Sequence, residues 1–372
     1  MKIKPLRHQL WLGFWRSMPL QKNKIILWSD NFKSFGCSPK YIALYLAENY
    51  PEKFDIVWVM DRERKIPQDM PTGIRIVRYF SMDYLREIAT AKIIICNVRT
   101  GDSHYFKKRK GQYYIQTWHS SLRLKKIEGD APSLPENYVN VAREDSQKID
   151  LLLSGCQFSS EIYRRAFWYK GEILEKGTPR CDVFFKDSSE IRKKVFSYFD
   201  ISPEKKFVLY APTFRKNKKA EFYHMDFAML QKALGPEWVI GCRLHPNIHD
   251  KITSIYALPM SDYSDMQELL LSCDMLITDY SSSMFDLLVA GKKCALYVPD
   301  LEEYIENERG LYFNIEQLPF PKAKDMEMLC NRIQNWDGYD IACKKFLNQI
   351  GNFEDGNAAK AVAERVLTVT GV

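Results

Sequence analysis

The sequence predicts an α/β protein with two doubly wound domains, each built on a parallel β-sheet. The first observation is a series of continuous apolar runs, which is typical of strands buried on both faces of a parallel sheet. The second is that segments with helical spacing separate these runs, as crossover connections between parallel strands require. The third is the length of 372 residues, which suits two domains of ordinary size.

The predicted strands are the apolar, β-branched runs. In the first half of the chain they are Ile25–Trp28, Asp55–Met60, Ile74–Val77, Lys92–Cys96, Tyr113–Gln116, Leu151–Ser154 and Glu172–Glu175. In the second half they are Phe207–Tyr210, Trp238–Leu244, Asp274–Thr278 and Cys294–Val298. The predicted helices between them are Ser38–Asn49, Ser81–Ala91, Ser159–Trp168, Ser189–Phe199, Asp262–Ser272 and Ser282–Ala290. Several of these helices begin at Ser or Asp, which are preferred N-cap residues.

The segment 177–188 is the predicted boundary between the two domains, because a turn-rich Gly-Thr-Pro-Arg stretch precedes charged residues and a new helix. The predicted organisation is a basic, aromatic N-terminal segment (1–24), a first domain (25–185), a second domain (186–352) and a C-terminal helix that docks back on the body (353–372). A weak similarity between residues 91–99 and 273–281 suggests equivalent strands that end in equivalent loops.

The positive charge is concentrated at the N-terminus. The chain has 54 Lys and Arg against 47 Asp and Glu, a net charge of +7. Residues 1–24 hold six basic residues and no acidic one, which leaves 48 against 47, or +1, for the rest. A nearly neutral body argues against a protein that wraps nucleic acid. Basic residues interleaved with Leu, Trp and Phe favour contact with an anionic membrane surface, and the alternative is that these aromatic residues pack on the first domain.

Several other protein classes lack support in the sequence. Nine cysteines without a CxxC pair favour reduced thiols over a disulfide framework or a zinc site. No apolar stretch approaches the roughly 18 residues that a membrane-spanning helix requires. The chain contains no GxGxxG, Walker A, HExxH, GxSxG, kinase or DxD motif, which argues against dehydrogenases, P-loop NTPases, zinc hydrolases and metal-dependent transferases. No metal ligand is predicted, although a divalent metal is possible.

Two polar loops in the second half have the chemistry of a phosphate site. Thr278–Ser283 (TDYSSS) joins a predicted strand to a helix, where backbone N–H groups and hydroxyls bind phosphates in α/β folds. The alternative is that its serines only cap the helix. Arg243–Pro246 (RLHP) places His245 at a strand end, where it could donate a proton or a hydrogen bond to a phosphate oxygen, or serve only as a structural residue.

Two further loops combine cations with polar residues. Ala211–Arg215 (APTFR) opens the basic run 215–219, which suits a ligand that carries phosphate or is simply a solvated loop. Thr117–Lys126 contains His119, followed by basic residues. This histidine could act as a general base toward an acceptor hydroxyl, with the cations receiving an acidic acceptor, or it could be structural.

Taken in order, WHSSLRLKK, GTPRCD, APTFR, RLHP and TDYSSSMFD resemble the motifs of the CDP-glycerol glycerophosphotransferase family, which makes teichoic acids and related polyol-phosphate polymers. The resemblance extends from Ser29-Asp30 to the segments 301–313 and 353–367. Members of that family have the GT-B arrangement, in which two Rossmann-like domains with doubly wound parallel sheets face a central cleft. The resemblance implies that the second domain binds a CDP-polyol and that the first presents the acceptor.

The resemblance also implies roles for individual residues. His119 would be the base that activates the acceptor hydroxyl, and His245 would hold or protonate the donor diphosphate. The donor-binding residues would be Arg180, Thr213, Arg215, Arg243, Ser281, Ser282 and Asp286. The acceptor-binding residues would be Trp118, Ser120, Ser121, Lys125 and Lys126.

The implied reaction is attack by an acceptor oxygen on the distal phosphorus of the donor, with release of CMP. Glycerol phosphate is the favoured group, with ribitol phosphate as the other candidate. The acceptor would be a lipid-linked or polymeric glycan of teichoic acid or capsule-type synthesis, reached from the cytoplasm by an enzyme lying peripherally on the inner face of the cell membrane. The family often has WHGTPLK where this chain has WHSSLRLKK, which leaves acceptor identity open. Primase-like single addition and processive polymerisation also stay open.

Two alternatives belong to other classes. One is a GT-B glycosyltransferase that uses a nucleotide sugar, since that class shares the fold and the diphosphate-binding helix. The other is a non-catalytic protein that binds a membrane surface and retains only the fold.

Overall fold

The computed structural model describes residues 6–67, 70–101, 104–215, 225–245, 248, 254–307 and 310–372. The chain divides into two compact units, each with its own parallel sheet. The first unit contains the residues up to Ser121, Glu128–Asp182 and Phe353–Val372. The second contains Leu122–Ile127 and Val183–Asn352. The predicted boundary at 185/186 placed residues 122–127 in the first domain, whereas the structure places them in the second unit.

The strands follow in chain order. The sheet of the first unit consists of β1 (Gln21–Trp28), β2 (Asp55–Met60), β3 (Ile74–Arg78), β4 (Ala91–Cys96), β5 (Tyr113–Gln116), β6 (Leu151–Leu153) and β7 (Glu172–Leu174). The sheet of the second unit consists of β8 (Lys206–Tyr210), β9 (Trp238–Cys242), β10 (Ala257–Pro259), β11 (Met275–Thr278), β12 (Lys293–Tyr297) and β13 (Lys322–Ala323).

The helices cover these sheets. The first unit contains α1 (Leu6–Ser17), α2 (Cys37–Asn49), α3 (Met82–Thr90), α4 (Glu136–Lys148) and α5 (Gln157–Ala166). The second contains α6 (Ser189–Tyr198), α7 (Phe227–Leu234), α8 (Met266–Ser272), α9 (Ser283–Val289), α10 (Leu301–Asn307), α11 (Met326–Arg332) and α12 (Tyr339–Gln349). The last helix, α13 (Ala358–Thr370), belongs to the first unit again.

Both sheets have the Rossmann-like strand order. The first runs β3-β2-β1-β4-β5-β6-β7 and the second β10-β9-β8-β11-β12-β13, with every pairing parallel. The order reverses between β1 and β4 in one sheet and between β8 and β11 in the other, and ligands of such folds bind at the carboxyl ends of the strands beside this switch point. The similar segments 91–99 and 273–281 contain β4 and β11, which are topologically equivalent, as predicted.

The core of each unit is made of the continuous apolar runs. In the first, Leu27, Trp58 and Ile95 are completely buried, and α13 adds Val362 and Val366 to the same cluster. In the second, the corresponding cluster includes residues of β8, β11 and β12. Helices on both faces explain why these strands are apolar at consecutive positions rather than at alternate ones.

The differences from the predicted elements lie where the sequence pattern is short or polar. The strands β10 and β13 have three and two residues, too few for an apolar run to be recognised. The helix predicted over Asp262–Ser272 begins at Met266, because the side chain of Asp265 accepts the backbone N–H of Gln267 as an N-cap. The helices α1, α4, α7 and α10 to α12 were not predicted.

The N-terminal residues belong to the first unit. In α1, His8 is buried and its ring lies 4.6 Å from that of Phe80. Arg16 donates to the carbonyl of Lys107, and β1 already begins at Gln21. Lys24 is buried in an ion pair with Glu87, so the last charge of the predicted 1–24 segment is part of the fold. All nine cysteines are free thiols, eight buried and Cys37 half-buried.

Candidate active site

His119 lies at the carboxyl edge of the first sheet. It follows β5, and its Nδ1 is 3.0 Å from the backbone oxygen of Asn97, which follows the neighbouring β4. Its ring is exposed and stacks on that of Trp118, with centroids 4.2 Å apart. When Nδ1 carries the proton and donates it to the Asn97 carbonyl, Nε2 has the lone pair that a general base requires.

Asn97 holds the loops on both sides of the first switch point. Its Oδ1 accepts the backbone N–H of Asp30 at 2.9 Å, and its Nδ2 donates to Asp30 Oδ1 at 3.0 Å. Asp30 follows β1, and Asn97 is completely buried. Sequence reasoning assigned no role to Asn97, although it is the first polar residue after a buried strand.

Trp118 supports His119 from below the ring. It is buried, it adopts a left-handed φ of 51°, and its ring lies 4.7 Å from that of Phe167. Arg99 lies 4.1 Å above the Phe167 ring and forms an ion pair with Asp145 at 3.3 Å. Trp118 is therefore part of a packed cluster, and its contact with the acceptor stays a prediction.

Ser120 and Ser121 are buried as well, each 3% exposed. The carbonyl oxygen of Ser121 accepts the hydroxyl of Ser159 at 2.7 Å. Their loop is packed into the first unit, and the acceptor contacts of these two serines stay a prediction.

Arg180 lies in the first unit, and its predicted role in binding the donor stays a prediction. It follows β7, and its Nη1 donates to the carbonyl oxygen of His119 and lies 3.6 Å from Cys37 Sγ. The GTPR motif thus belongs to the same sheet edge as His119. The reason is that the chain enters the second unit only after Asp182.

Asp279 has the position in the second unit that Asn97 has in the first, because it follows β11, the equivalent of β4. Its two oxygens accept the backbone N–H of Thr213 at 2.9 and 3.0 Å, which joins the loop after β8 to the loop after β11. Asp279 also pairs with Arg215 Nη1 at 2.8 Å, and Arg215 Nε pairs with Asp300 at 2.9 Å. The hydroxyl of Thr213 is buried and has no hydrogen-bond partner within the described structure, so a bound ligand would satisfy it.

Arg215 lies in a buried ion network, and its contact with the donor stays a prediction. It is 6% exposed and lies 4.9 and 4.8 Å above the stacked rings of Tyr280 and Tyr304. Burial opposes its charge, but Asp279 and Asp300 outweigh burial and raise the pKa of Arg215. The rest of the predicted basic run, residues 216–219, lies outside the described residues.

Arg243 and His245 differ in what they contact. Arg243 Nη1 donates to the backbone oxygens of Met260 and Tyr263 at 3.1 and 2.6 Å, so it fixes a loop of the second unit. Burial lowers the pKa of Arg243 despite two nearby carboxylates. His245 is exposed after β9, with its ring 5.6 Å from that of Phe214.

The predicted donor-binding residues around α9 also differ in burial and in what they contact. Ser281 Oγ accepts from the backbone N–H and the hydroxyl of Ser283, at 3.3 and 2.8 Å. Ser282 is half-buried and its side chain makes no capping hydrogen bond. Asp286 is completely buried and accepts from Gln267 Nε2 at 2.9 Å, which joins α9 to α8, and its contact with the donor stays a prediction.

Lys125 and Lys126 belong to the second unit, which corrects their predicted placement with the acceptor domain. Lys125 forms an antiparallel bridge with Leu311, and its Nζ lies 5.2 Å from the ring of Tyr304. The backbone N–H of Lys126 donates to Gly310 at 3.0 Å. Arg215 also lies near the ring of Tyr304, so the second half of the WHSSLRLKK motif lies beside the ion network of Arg215.

Each unit therefore presents its own set of loops. The first brings together Trp118, His119, Ser120, Ser121 and Arg180; the second brings together Lys125, Lys126, Thr213, Arg215, Arg243, His245, Ser281, Ser282 and Asp286. The residues that sequence reasoning missed are Asp30, Asn97, Asp279 and Asp300, all of which follow buried strands. Among the residues described, no three His, Cys, Asp or Glu side chains are grouped to hold a metal ion.

Two Rossmann-like units with parallel sheets, together with a close match to the solved structure of the wall teichoic acid polymerase TagF, assign the chain to the GT-B-like fold class. The family model described as CDP-Glycerol:Poly(glycerophosphate) glycerophosphotransferase matches residues 12–368. The chain belongs to this family, and its activity is glycerophosphotransfer from CDP-glycerol in teichoic acid synthesis.

Relatives and solved structures agree with this assignment. The chain is 33% identical to the teichoic acid poly(glycerol phosphate) polymerase of Bacillus spizizenii, over 94% of this chain and 93% of that protein. It is 28% identical to the teichoic acid glycerol-phosphate transferase of Staphylococcus aureus, over 98% of both. The structure of the wall teichoic acid polymerase TagF is 27% identical and superposes with a TM-score of 0.87, over 98% of this chain and 94% of that chain. A variant of TagF has also been solved after a soak with CDPG, with a TM-score of 0.86.

Proposed function

We propose that His119 and His245 carry the two sides of the transfer, and that the acceptor is a lipid-linked or polymeric glycan with a reactive hydroxyl. The acceptor oxygen forms a bond to the distal phosphorus of CDP-glycerol while the bond from that phosphorus to the bridging oxygen breaks. The proton of the acceptor hydroxyl goes to His119, and the electron pair of the broken bond leaves with CMP. The observation that carries this proposal is the exposure of both histidines at the carboxyl edges of the two sheets.

The acceptor side of the proposal depends on the tautomer of His119. The hydrogen bond from Nδ1 to the Asn97 carbonyl directs the basic lone pair to Nε2, on the other side of the ring. The ring is exposed, so an acceptor hydroxyl can approach it. Stacking on Trp118 restricts the ring orientation, which reduces the entropy lost in reaching the reactive geometry.

The donor side of the proposal depends on polar groups that surround the start of α9 and the end of β9. The hydroxyls of Thr213, Ser281 and Ser282 are donors suited to a diphosphate, and Thr213 Oγ1 has no partner within the described structure. His245 would donate a hydrogen bond or a proton to the leaving CMP, where negative charge develops. Arg215, Arg243 and Asp286 would support these loops from behind.

The experiment measures CMP release from CDP-glycerol by the wild type and by the His119→Ala and His245→Ala variants. Each variant is expected to lose about 100-fold or more in kcat, the range typical of a lost general acid or base. A matched control is His104→Asn, because His104 is a buried histidine whose Nδ1 accepts the backbone N–H of Gly101. Full turnover by either histidine variant would contradict its role. Turnover of UDP-sugars or of CDP-ribitol in place of CDP-glycerol would contradict the donor.

We further propose that α1 lies on the cytoplasmic face of an anionic membrane, where a lipid-linked acceptor would be reached. Leu6, Leu10, Trp11 and Phe14 are 71, 66, 46 and 45% exposed, while His8 packs inward. Their helical spacing places the apolar side chains together on the outer surface of α1. None of the helices in the described ranges has the length and apolar content to cross a membrane.

Substitutions test this surface better than truncation, because a cut near residue 22 would remove part of β1. The double variant Leu10→Glu with Phe14→Glu should no longer bind vesicles that contain phosphatidylglycerol, since each apolar side chain buried contributes about 2 kcal/mol. It should retain turnover with a soluble acceptor analogue. The control is Ile341→Glu, which changes a 76% exposed residue on α12. Unchanged vesicle binding by the double variant would refute the proposal.

A further inference from the structure

The carboxylate of Glu354 lies between three loops at the carboxyl edge of the first sheet. It is 6% exposed and precedes α13 in the chain. It accepts the backbone N–H of Thr178 at 2.9 Å and the Thr178 hydroxyl at 2.7 Å. It also forms a side-chain hydrogen bond with Ser121. Thr178 follows β7 and Ser121 follows β5, so one side chain joins loops that are distant in the sequence.

Two glycines provide the space for this carboxylate. Gly155 follows β6, and a Cβ atom at that position would overlap both Glu354 Oε1 and Ser121 Oγ. Gly177 has a left-handed φ of 87°, and a Cβ there would lie 2.7 Å from Glu354 Oε2. The backbone N–H of Phe353 donates to Gly155 at 2.9 Å, which anchors the segment that carries Glu354.

The same two loops hold His119. Ser121 is two residues beyond His119, and Arg180, two residues beyond Thr178, donates to the His119 carbonyl. We infer that Glu354 is a positioning residue for His119, because its carboxylate sets the spacing between the 119–121 and 178–180 loops. This inference rests on the proposed role of His119 as the base.

The hydrogen-bonding pattern suits an ionised carboxylate at this position. Three donor groups converge on it, namely one N–H and two hydroxyls. Both oxygens of a carboxylate accept, whereas a glutamine of nearly the same shape has one acceptor oxygen, so a hydroxyl that faces its NH₂ group would have to accept instead of donate. Glutamine therefore keeps the packing and disturbs only the loop spacing.

The charged groups near Glu354 come from the Thr178–Asp182 stretch. Burial raises the pKa of Glu354 to about 7, and the charge of Asp182 adds to the rise, while the hydrogen bonds from Ser121 and Thr178 oppose it. Asp182 itself accepts the backbone N–H groups of Ala358 and Ala359 at the start of α13. Protonation of Glu354 would turn an acceptor oxygen into a donor, so one hydroxyl would have to reverse its hydrogen bond.

The test compares Glu354→Gln with the wild type in steady-state kinetics of CMP release. We expect kcat to fall about tenfold, with the KM for CDP-glycerol changed by less than about twofold, because only the geometry of the base is affected. Thr178→Val, which removes the hydroxyl donor but keeps the shape, should reproduce this pattern. Thr178→Ser keeps the donor and should retain the kcat of the wild type.

The control is Glu87→Gln, which removes a carboxylate that is 1% exposed and paired with Lys24 elsewhere in the first unit. It should lower the melting temperature and leave kcat unchanged. An unchanged kcat in Glu354→Gln, with only a lower melting temperature, would overturn the inference. If Glu354→Gln does not fold, equal kcat values for Thr178→Val and Thr178→Ser would overturn it instead. Turnover by His119→Ala would refute the proposed base, whereas an inactive His119→Ala with an active Glu354→Gln would refute only the positioning role.

Discussion

The two units close their switch points with equivalent residues of different charge. Asn97 follows β4 and binds the backbone N–H of Asp30, whereas Asp279 follows β11 and binds the backbone N–H of Thr213. The two residues also align in the weak similarity between the segments 91–99 and 273–281. The same topology is therefore fastened by a neutral amide in one unit and by a carboxylate in the other.

The carboxylate brings further charges with it. Asp279 is buried, so its charge is matched by Arg215, and the second side of Arg215 is matched by Asp300. Asn97 needs no such partner, and its loop leaves the neighbouring His119 exposed beside a backbone carbonyl. The comparison teaches that a buried ion network joins the loops after β8 and β11, whereas the hydrogen bonds of a neutral amide join the loops after β1 and β4.

The largest effect is expected where the ion network loses its cation. Arg215→Met leaves two buried carboxylates without their partner, which should cost about 4 kcal/mol in the free energy of unfolding. Urea unfolding checks this value. The control is Arg192→Met, since Arg192 pairs with the more exposed Asp274 and should cost about 1 kcal/mol or less. Equal losses in the two variants would mean that the buried network is no different from a surface ion pair.

The next largest effect is the pH dependence of the free energy of unfolding that Glu354 causes. This buried carboxylate of the first unit is paired with hydroxyl and amide donors instead of a cation. Burial raises the pKa of Glu354 from 4.5 to about 7, so the folded protein binds a proton over this interval that the unfolded chain has lost. The stabilising contribution is present below about pH 4.5 and is lost as the pH rises to about 7, at up to about 1.4 kcal/mol per pH unit and roughly 3 kcal/mol in total.

Denaturant unfolding of the wild type and of Glu354→Gln across this pH range checks the sign. The difference between their stabilities should change with pH in the stated direction and become constant above about pH 8. A difference independent of pH would show that Glu354 keeps its usual pKa.

The smallest of the three effects is expected when the neutral amide of Asn97 is replaced by a carboxylate. Asn97→Asp would place a carboxylate where the Nδ2 group donates to Asp30, and the lost hydrogen bond with the added repulsion should cost about 2 kcal/mol. The loss should grow as the introduced carboxylate ionises. Asn49→Asp, at an exposed position of α2, is the control. If Asn97→Asp were as stable as Asn49→Asp, the position of Asn97 would tolerate a carboxylate as well as an amide.

Much of the fold could be predicted because the strands of both sheets are continuous apolar runs. The runs at β2 and β5 were predicted to the residue, whereas β10 and β13 are too short to form a run. The motifs pointed to the loops at the switch points and to both histidines. The roles of individual polar residues could not be predicted in the same way.

The reason is that a polar side chain acts through partners that are distant in the sequence. The sequence shows the cation of Arg215 but not the carboxylates of Asp279 and Asp300 on both sides of it. It likewise gives no sign that Gln267 donates a hydrogen bond to Asp286. Glu354 lies 176 residues beyond Thr178, and nothing in the local pattern relates the two.

The six residues from Leu122 to Ile127 have a practical consequence for dissecting the protein. They are the only part of the second unit that precedes Val183, and they pair with the stretch 310–312 through Lys126, Leu124 and Tyr312. A gene fragment limited to 183–352 would encode the second unit without this short edge partner, leaving backbone groups at 310–312 open to water or to another chain. Grafting the hexapeptide onto such a fragment through a flexible linker would restore the pairing. Comparing the solubility of the fragments with and without the hexapeptide would show whether the isolated second unit needs this pairing to stay in solution.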